Sequence, residues 1–213
     1  MTTRRSVLVV AAAGMATTSG CLGFAAGTAP LEAEADEATV ADGALAETGY
    51  EVSRSERTTR TYTVTIASQS REIEASNYVS EYRKLLSVGS LEEEYLGTFS
   101  VTSAPRTELF GRTFHPFADL SDRRLAADLQ SEYAGFEAVE PVGTDPVRVL
   151  GERRETHVYG AEAERGGESI EVTIHVLSVG HDGDQLVGVG VHPASLSGEK
   201  QRILSLFEGI EHD

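Results

Sequence analysis

The feature that most limits the fold is a pair of alternating segments near the C-terminus, ESIEVTIHVLSV (168–179) and QLVGVGVHP (185–193), with HDGD at the junction. Apolar residues recur at every second position in both, which is the period of a strand with one buried face. Asp-Gly between two such segments indicates a two-residue hairpin turn. The chain must therefore contain an antiparallel sheet, and its other segments must cover the apolar face of that sheet.

The turns also predict which residues lie opposite each other, because a two-residue loop fixes the register of a hairpin. With turns at 166–167 and 182–183, one predicted face is apolar: Ala163, Ala161, Tyr159 and His157 lie opposite Ile170, Val172, Ile174 and Val176, and Val191 and Val189 lie opposite Ile174 and Val176. The other predicted face carries Val158, His175, Gly188 and Gly190.

The first half of the domain is also predicted to be largely extended. TYTVTI (61–66) alternates threonine with larger apolar residues, and YLGTFSVTS (95–103) has the same character. Residues 76–86 fit either a strand or one face of a helix. We expect them to form a long strand that returns against residues 61–66.

Three segments have helix signals. A short helix is expected to end near Gly49, a middle helix to start at Ser121 and end near Gly135, and a C-terminal helix to follow Ser197. Runs of strands with separate helices indicate the α+β class. We therefore expect a single α+β domain over residues 39–213, in which an antiparallel sheet packs with the middle helix and the C-terminal helix.

The N-terminus has the order of a secretory signal: Arg4 and Arg5, an uncharged apolar run over 7–13, and small residues before Cys21. The apolar run is shorter than the roughly 20 residues that cross a bilayer. Residues 1–20 are therefore predicted to be a signal peptide. The adjacent arginines resemble a twin-arginine export signal, which implies transport of a folded protein.

The stretch TSGC (18–21) resembles a lipobox, although Thr18 replaces the usual leucine. This resemblance implies that Cys21 becomes the first mature residue, carries a lipid and holds the protein on the outer face of the cytoplasmic membrane. The alternative is that Cys21 is a buried thiol. Residues 21–38 are small, acidic and aperiodic, and are predicted to be a flexible tether after the lipidated cysteine.

Charge limits the possible partners. The chain has 34 acidic and 18 basic residues, a net charge of −16, and a single cysteine, so no internal disulfide can form. This acidity argues against binding to nucleic acid and against electrostatic attraction to an anionic membrane. The carboxylates are spread along the chain, which is typical of adaptation to molar salt and favours a haloarchaeal source.

The chain resembles two protein families. The order of strands, the segment TFHPF (113–117) before SDRRLAADLQSEY, and the ending FEGIEH (207–212) resemble the extrinsic photosystem II protein PsbP and its bacterial lipoprotein relatives. RTYTVTI, GRTFHPFADLS, VGVGVHP and FEGIEHD resemble a family of halophilic archaeal lipoproteins of unknown function. These resemblances imply a PsbP-like fold and an exported, anchored protein, but no site residues.

No motif predicts a catalytic site, a metal site or a cofactor. GxSxG and HExxH are absent. His175, His181 and His192 lie on neighbouring β segments and could converge, but separate structural roles are the favoured interpretation. HDGDQ (181–185) lacks the spacing of a calcium loop, and Glu92, Glu93 and Glu94 are expected to form a solvated loop surface.

The aromatic segment around Pro116 is the strongest candidate for a ligand surface. Phe114, His115 and Phe117 join a predicted strand to a predicted helix, and His175 is a further candidate on the sheet. One interpretation is the rim of an apolar pocket or partner surface. The other, which we favour, is a plug that closes the core where the sheet meets the helix.

The sequence therefore predicts a membrane-anchored extracytoplasmic lipoprotein that serves as a non-enzymatic binding or accessory module. The alternative is a lipoprotein that binds a small ligand or a metal through the aromatic segment or His175. An extracytoplasmic hydrolase is the least favoured hypothesis, because no serine has a catalytic context.

Overall fold

The computed structural model of the chain describes residues 23–24, 27–66, 69–89, 91–109, 112–118, 120–121, 124–125, 136–165 and 167–212. Arg4, Arg5, Cys21 and the predicted signal peptide lie outside these residues, and so do positions 126–135 of the predicted middle helix.

Strands make up most of the described chain. They are β1 (Leu31–Glu34), β2 (Ala38–Val40), β3 (Glu51–Ile66), β4 (Gln69–Val88), β5 (Leu91–Pro105), β6 (Thr107–Leu109), β7 (Arg112–Phe114), β8 (Phe136–Val149), β9 (Glu152–Arg165), β10 (Glu168–His181), β11 (Asp184–Pro193) and β12 (Ile210–His212). The helices of two or more turns within these ranges are α1 (Asp42–Thr48) and α2 (Ser197–Glu208). No helix of the described chain is long and apolar enough to cross a membrane.

Eight strands form one mixed sheet, in the order β1–β4–β5–β11–β10–β9–β8 with β3 along the other edge of β4. Strand β4 is long enough to pair with β3 on one side and with both β5 and β1 on the other. All neighbours are antiparallel except β1, which runs parallel to β4. The ambiguous residues 76–86 lie inside β4, so the prediction of a long strand is confirmed.

The predicted register of the C-terminal meander is confirmed. Ile174 lies opposite Tyr159 on one side and Val191 on the other, as the two-residue turns predicted. The turn residues Asp182 and Gly183 both have positive φ, 41° and 95°. A hairpin turn of this kind needs positive φ at both positions, which explains the Asp-Gly sequence.

Helix α2 covers one face of the sheet and approaches the strands closely because Gly188 and Gly190 have no side chain. A Cβ on Gly188 would lie 2.6 Å from Cε1 of Phe207, and one on Gly190 would lie 2.5 Å from Cγ2 of Ile203. Both helix residues are fully buried. The sequence VGVGV therefore puts valine on one face of the sheet and leaves room for the helix on the other.

The second face of the sheet carries a separate apolar cluster. Its buried members are Leu91, Leu96, Leu125, Val139, Ala161, Ala163, Ile170, Val172, Ile174, Val176, Val187, Val189 and Val191. Phe117 and Leu120 pack against it from the chain that follows β7. The backbone N–H of Arg124 donates to Oγ of Ser121 at 3.3 Å, as expected for a helix that starts at Ser121.

The predicted fold class is wrong. The domain is a large mixed sheet with short covering segments, and not an antiparallel sheet packed with helices in the PsbP-like manner. The strands are much longer than the sequence indicated: β4 has 20 residues, and β8 and β9 have 14 each. Two long hairpins, β3–β4 and β8–β9, therefore supply more than half of the residues in strands.

The predicted tether is also only partly correct. Residues 31–34, assigned to a flexible linker, form β1 and add a strand to the sheet. Ala35 is buried, and β2 at 38–40 pairs with the C-terminal strand β12. The domain therefore begins inside the segment that composition alone assigned to a tether.

Candidate functional site

A cavity of about 160 Å³ lies beside the β3–β4 hairpin. One wall consists of side chains on a single face of the hairpin, Tyr62, Val64, Ile73 and Ala75, because alternate residues of paired strands share a face. The other wall is formed by Pro105, Thr107, Phe114, His115, Pro116 and Ala118. Thr63 and Ala118 are exposed at its edge, so the cavity opens to solvent.

The second wall is held in place by a small hairpin and two turns. Strands β6 and β7 pair so that Thr107 lies opposite Phe114. The backbone N–H of Ala118 then donates to the carbonyl of His115 at 3.1 Å. These bonds turn the chain beside the β3–β4 hairpin and give the cavity mainly apolar walls, with the His115 imidazole and the Thr107 hydroxyl as polar groups.

The four residues predicted to form a ligand surface do not form one site. Phe114 and His115 line the cavity. Phe117 packs against the apolar cluster of the second sheet face, as expected for a core plug. His175 is fully buried on the face that α2 covers.

His175 and His192 form a buried pair beneath the first turn of α2. Their rings stack with centroids 5.5 Å apart, and their Nε2 atoms are 3.4 Å apart. The Nδ1–H of His192 donates to the carbonyl of Pro193 at 2.9 Å, so its Nε2 accepts from His175. Burial, and secondarily the charge of His192, lowers the pKa of His175 to about 4, and burial lowers the pKa of His192. Both rings are therefore neutral at pH 7.

Asp145 lies next to this pair. Its Oδ2 is 3.8 Å from Nδ1 of His175, and its Oδ1 is 2.6 Å from Nζ of Lys200. Neither Oδ2 of Asp145 nor Nδ1 of His175 has a hydrogen-bond partner among the described residues. Within the described ranges, no three His, Cys, Asp or Glu side chains are grouped closely enough to hold a metal ion.

The third predicted histidine, His181, lies at the other end of β10 and contacts the C-terminus. Its Nδ1 is 3.0 Å from Nδ1 of His212, and Nε2 of His212 is 3.1 Å from Oδ2 of Asp184. Ser103 Oγ donates to the same carboxylate oxygen at 3.1 Å. In a catalytic triad the serine and the carboxylate bind different nitrogens of the histidine. Here both lie on the Nε2 side, so this cluster joins strands and has no arrangement for nucleophilic attack.

The backbone N–H of Asp36 also donates to Oδ2 of Asp184, at 2.7 Å. This carboxylate is thus used by protein donors, in agreement with the prediction that HDGDQ is a turn. Glu93 and Glu94 lie at the start of β5, where Glu94 is 3.8 Å from Nε of Arg165. The side chain of Glu92 lies outside the described residues.

Residues 37–211 match a family model described as a domain of unknown function, DUF6517. The chain belongs to this family. The match covers α1, α2 and every strand from β3 to β11, and so includes both the cavity beside the β3–β4 hairpin and the histidine pair. No curated protein matches the chain.

The sequence indicated residues of both walls of the cavity but not their contact. Tyr62 and Val64 were assigned correctly to a half-buried strand, and Phe114 and His115 were candidates for a ligand surface, but no pattern indicates that these two segments pack against each other. Asp145, beside His175, was missed because Thr-Asp-Pro indicates a turn. Lys200 was missed because a single lysine at the start of a helix is normally a surface residue.

Proposed function

We propose that this chain is an exported lipoprotein, anchored through Cys21 on the outer face of the cytoplasmic membrane, whose domain binds a small, mainly apolar molecule. The export and anchoring parts rest on Arg4, Arg5 and the lipobox-like TSGC at 18–21. The similarity to halophilic archaeal lipoproteins supports the same localisation. The binding part rests on the cavity beside the β3–β4 hairpin.

The size and lining of this cavity are the observation that carries the proposal. An apolar protein cavity of about 150 Å³ is large enough to bind benzene. Here the volume is about 160 Å³, and Tyr62, Ile73 and Phe114 supply aliphatic and aromatic contacts. His115 and Thr107 add polar groups at the wall. We infer a ligand of one small ring or short branched chain with one polar substituent.

Hydrolase activity and metal binding are supported less well than the binding of a small apolar molecule. A hydrolase needs a nucleophile and a base in hydrogen-bond geometry, but in the cluster of Ser103, His212 and Asp184 both the serine and the carboxylate lie on Nε2 of the histidine. A metal site at His175 is disfavoured because Lys200 brings a positive charge to Asp145.

Membrane fractionation tests the anchoring. The wild-type protein is expected in the membrane fraction, and Cys21→Ser is expected to release it, because the lipid is then absent. Replacement of both Arg4 and Arg5 by lysine is expected to leave the protein inside the cell. Equal membrane retention of Cys21→Ser and wild type would contradict the lipid anchor, and continued export of the lysine variant would contradict the twin-arginine route.

Binding of toluene and phenol, followed by NMR chemical-shift changes, tests the cavity. Ala75→Leu is expected to weaken toluene binding at least tenfold, because the added carbons occupy the space beside Ile73. Ala46→Leu makes the same change at an exposed position of α1 and is expected to leave binding unchanged. Equal toluene affinity in the two variants would show that the molecule does not bind in this cavity.

A further inference from the structure

Strand β3 (Glu51–Ile66) forms a long edge of the main sheet. Its inner side pairs with β4 along the whole strand, with one irregularity at 52–54. Among the described strands, none pairs with its outer side. Every side chain from 54 to 65 is exposed or half-buried. Unpaired N–H and C=O groups along an edge of this length are a template for another strand.

The opposite edge of the sheet, β8, is protected from such pairing. It contains Pro141 and Pro146, which have no N–H, and its register with β9 shifts twice between 137 and 143. Prolines and bulges are the features that keep an edge strand from adding another strand. Residues 54–66 of β3 contain neither, and five of them are threonine, which favours strands. The β3 edge therefore has the character of a pairing surface.

The charges of β3 limit how it can pair with a second copy of itself. Alternate residues point their N–H and C=O groups to opposite sides of a strand, so facing residues are both odd or both even in number. A two-fold pair of β3 strands is therefore centred on one residue. Centring on Glu56, Arg57 or Arg60 places that charge opposite its own copy, which is destabilising. Centring on Ser55 joins opposite charges, but only residues 51–59 then overlap.

Centring on Thr58 agrees with both the charges and the length of the strand. Residues 51–65 then overlap, Glu56 lies opposite Arg60 on both sides of the axis, and like charges do not meet. Within one copy, Arg60 makes no ion pair with a described residue. The pair that Glu56 forms with Arg54 is exposed to solvent, where an ion pair contributes little. Both side chains are thus available to a second copy.

The same register places Arg54 opposite Tyr62, where a guanidinium can stack on the aromatic ring. We propose that two copies of the chain form a two-fold dimer through β3, antiparallel and centred on Thr58, so that their sheets join into one. Facing residues lie on the same face of the joined sheet, so the axis is perpendicular to it and α2 covers the same side in both copies. The dimer depends neither on the proposed lipid anchor nor on the proposed ligand.

The dissociation constant of the dimer, measured by sedimentation equilibrium, tests the proposal. All proteins are full-length chains that carry Cys21→Ser, which removes the only cysteine and with it any attached lipid. In about 0.15 M KCl the Debye length is about 8 Å, so direct ion pairs persist while repulsion between distant carboxylates of the two copies is screened. The Cys21→Ser protein with unchanged β3 is expected to show a monomer–dimer equilibrium.

Charge reversal in β3 tests the register. Glu56→Arg is expected to raise the dissociation constant about tenfold, because two attractive contacts across the axis become repulsive. Adding Arg60→Glu to the same chain restores two pairs of opposite charge, and is expected to restore the original dissociation constant. Glu155→Arg makes the same change at an exposed position of β9 and is expected to leave dimerisation unchanged.

Disulfide formation between copies locates the axis directly. Thr58→Cys is expected to form an intermolecular disulfide on mild oxidation, because the two copies of residue 58 face each other with Cα atoms about 4.5–5.5 Å apart, a distance that a disulfide spans. Thr61→Cys is the control on the same strand. Its two copies lie six residues apart along the paired strands, or about 20 Å, so no disulfide is expected.

Either experiment can overturn the proposal. If the Cys21→Ser protein stays monomeric at every concentration measured, β3 does not pair with a second copy. If Glu56→Arg dimerises as tightly as the protein with unchanged β3, another surface joins the copies. Equal disulfide formation by Thr58→Cys and Thr61→Cys would indicate random collision or another register, and would exclude the axis at Thr58.

Discussion

Gly190 and Gly188 determine how closely α2 packs on the sheet. Because a Cβ on Gly190 would lie 2.5 Å from Ile203, Gly190→Ala is expected to destabilise the fold by about 1–3 kcal/mol, the usual cost of overpacking. Gly143→Ala on the edge strand β8 is the control, since no atom lies within 4 Å of its added Cβ. Urea unfolding measures the free energy of unfolding of both variants. A loss of stability in Gly190→Ala no larger than that in Gly143→Ala would contradict this account of VGVGV.

The buried histidine pair makes stability depend on pH. The pKa of an unfolded histidine is about 6.5, and burial lowers that of His175 to about 4. The unfolded chain therefore binds a proton first as the pH falls. The contribution of neutral His175 is fully present above pH 6.5 and is lost between pH 6.5 and 4, with a total of about 3 kcal/mol.

His175→Gln is expected to reduce this pH dependence, because glutamine stays neutral and can still donate to His192. Urea unfolding of both proteins at pH 7.5, 6, 5 and 4.5 measures the free energy of unfolding. The wild-type value is expected to fall more steeply than the variant's. Parallel curves would mean that His175 is protonated in the folded protein or exposed to water.

At the level of elements, Asp184 joins the segment before β2 and the strand β12 to the central sheet. Its Oδ2 contacts the N–H of Asp36 before β2, Ser103 on β5 and His212 on β12. Asp184→Asn is expected to cost about 2 kcal/mol, because an amide accepts these donors less well than a carboxylate. Asp182→Asn, the same change at an exposed turn position, is expected to be nearly neutral. Equal losses in urea unfolding would contradict a joining role for Asp184.

The sequence predicted the centre of the sheet better than its edges. Strands β10 and β11 alternate strictly and are joined by Asp-Gly, so their pairing followed from local patterns alone. Residues 136–146 of β8 were missed because Pro141, Gly143 and Pro146 indicate a loop. An edge strand tolerates proline, since one side makes no ladder bonds, and among the described strands β8 pairs only with β9. Strand β1 was missed because its partner, β4, lies about 40 residues further along the chain.

The candidate site was predictable to a similar extent. Phe114 and His115 were found because Phe110, Phe114 and Phe117 lie within eight positions of the sequence, and aromatic side chains dominate the energetics of cores and interfaces. The contact between this segment and the wall formed by Tyr62, Val64 and Ile73 depends on how β5 and β6 return the chain to the β3–β4 hairpin. No local pattern specifies that path, so the cavity itself could not be predicted.

The charge of the whole molecule makes its stability depend on salt. With a net charge of −16, repulsion between carboxylates opposes the compact state, and a Debye length of about 3 Å at 1 M salt removes most of it. One row of carboxylates concentrates the effect, because Glu162 on β9 lies directly opposite both Glu137 on β8 and Glu171 on β10. All three side chains are exposed.

Like charges directly opposite each other in a sheet are destabilising, by about 0.2–1 kcal/mol per pair. Glu162→Gln removes two such contacts, so it is expected to stabilise the protein by about 1 kcal/mol in 0.05 M KCl and to have almost no effect in 1 M KCl. Glu155→Gln, also exposed on β9 but opposite Pro146, is the control. Unfolding in urea, which adds no charge, measures the free energy of unfolding of the wild type, Glu162→Gln and Glu155→Gln at both salt concentrations. If the gain in Glu162→Gln persisted unchanged at 1 M KCl, its cause would be strand propensity rather than charge, and the row of carboxylates would not oppose folding.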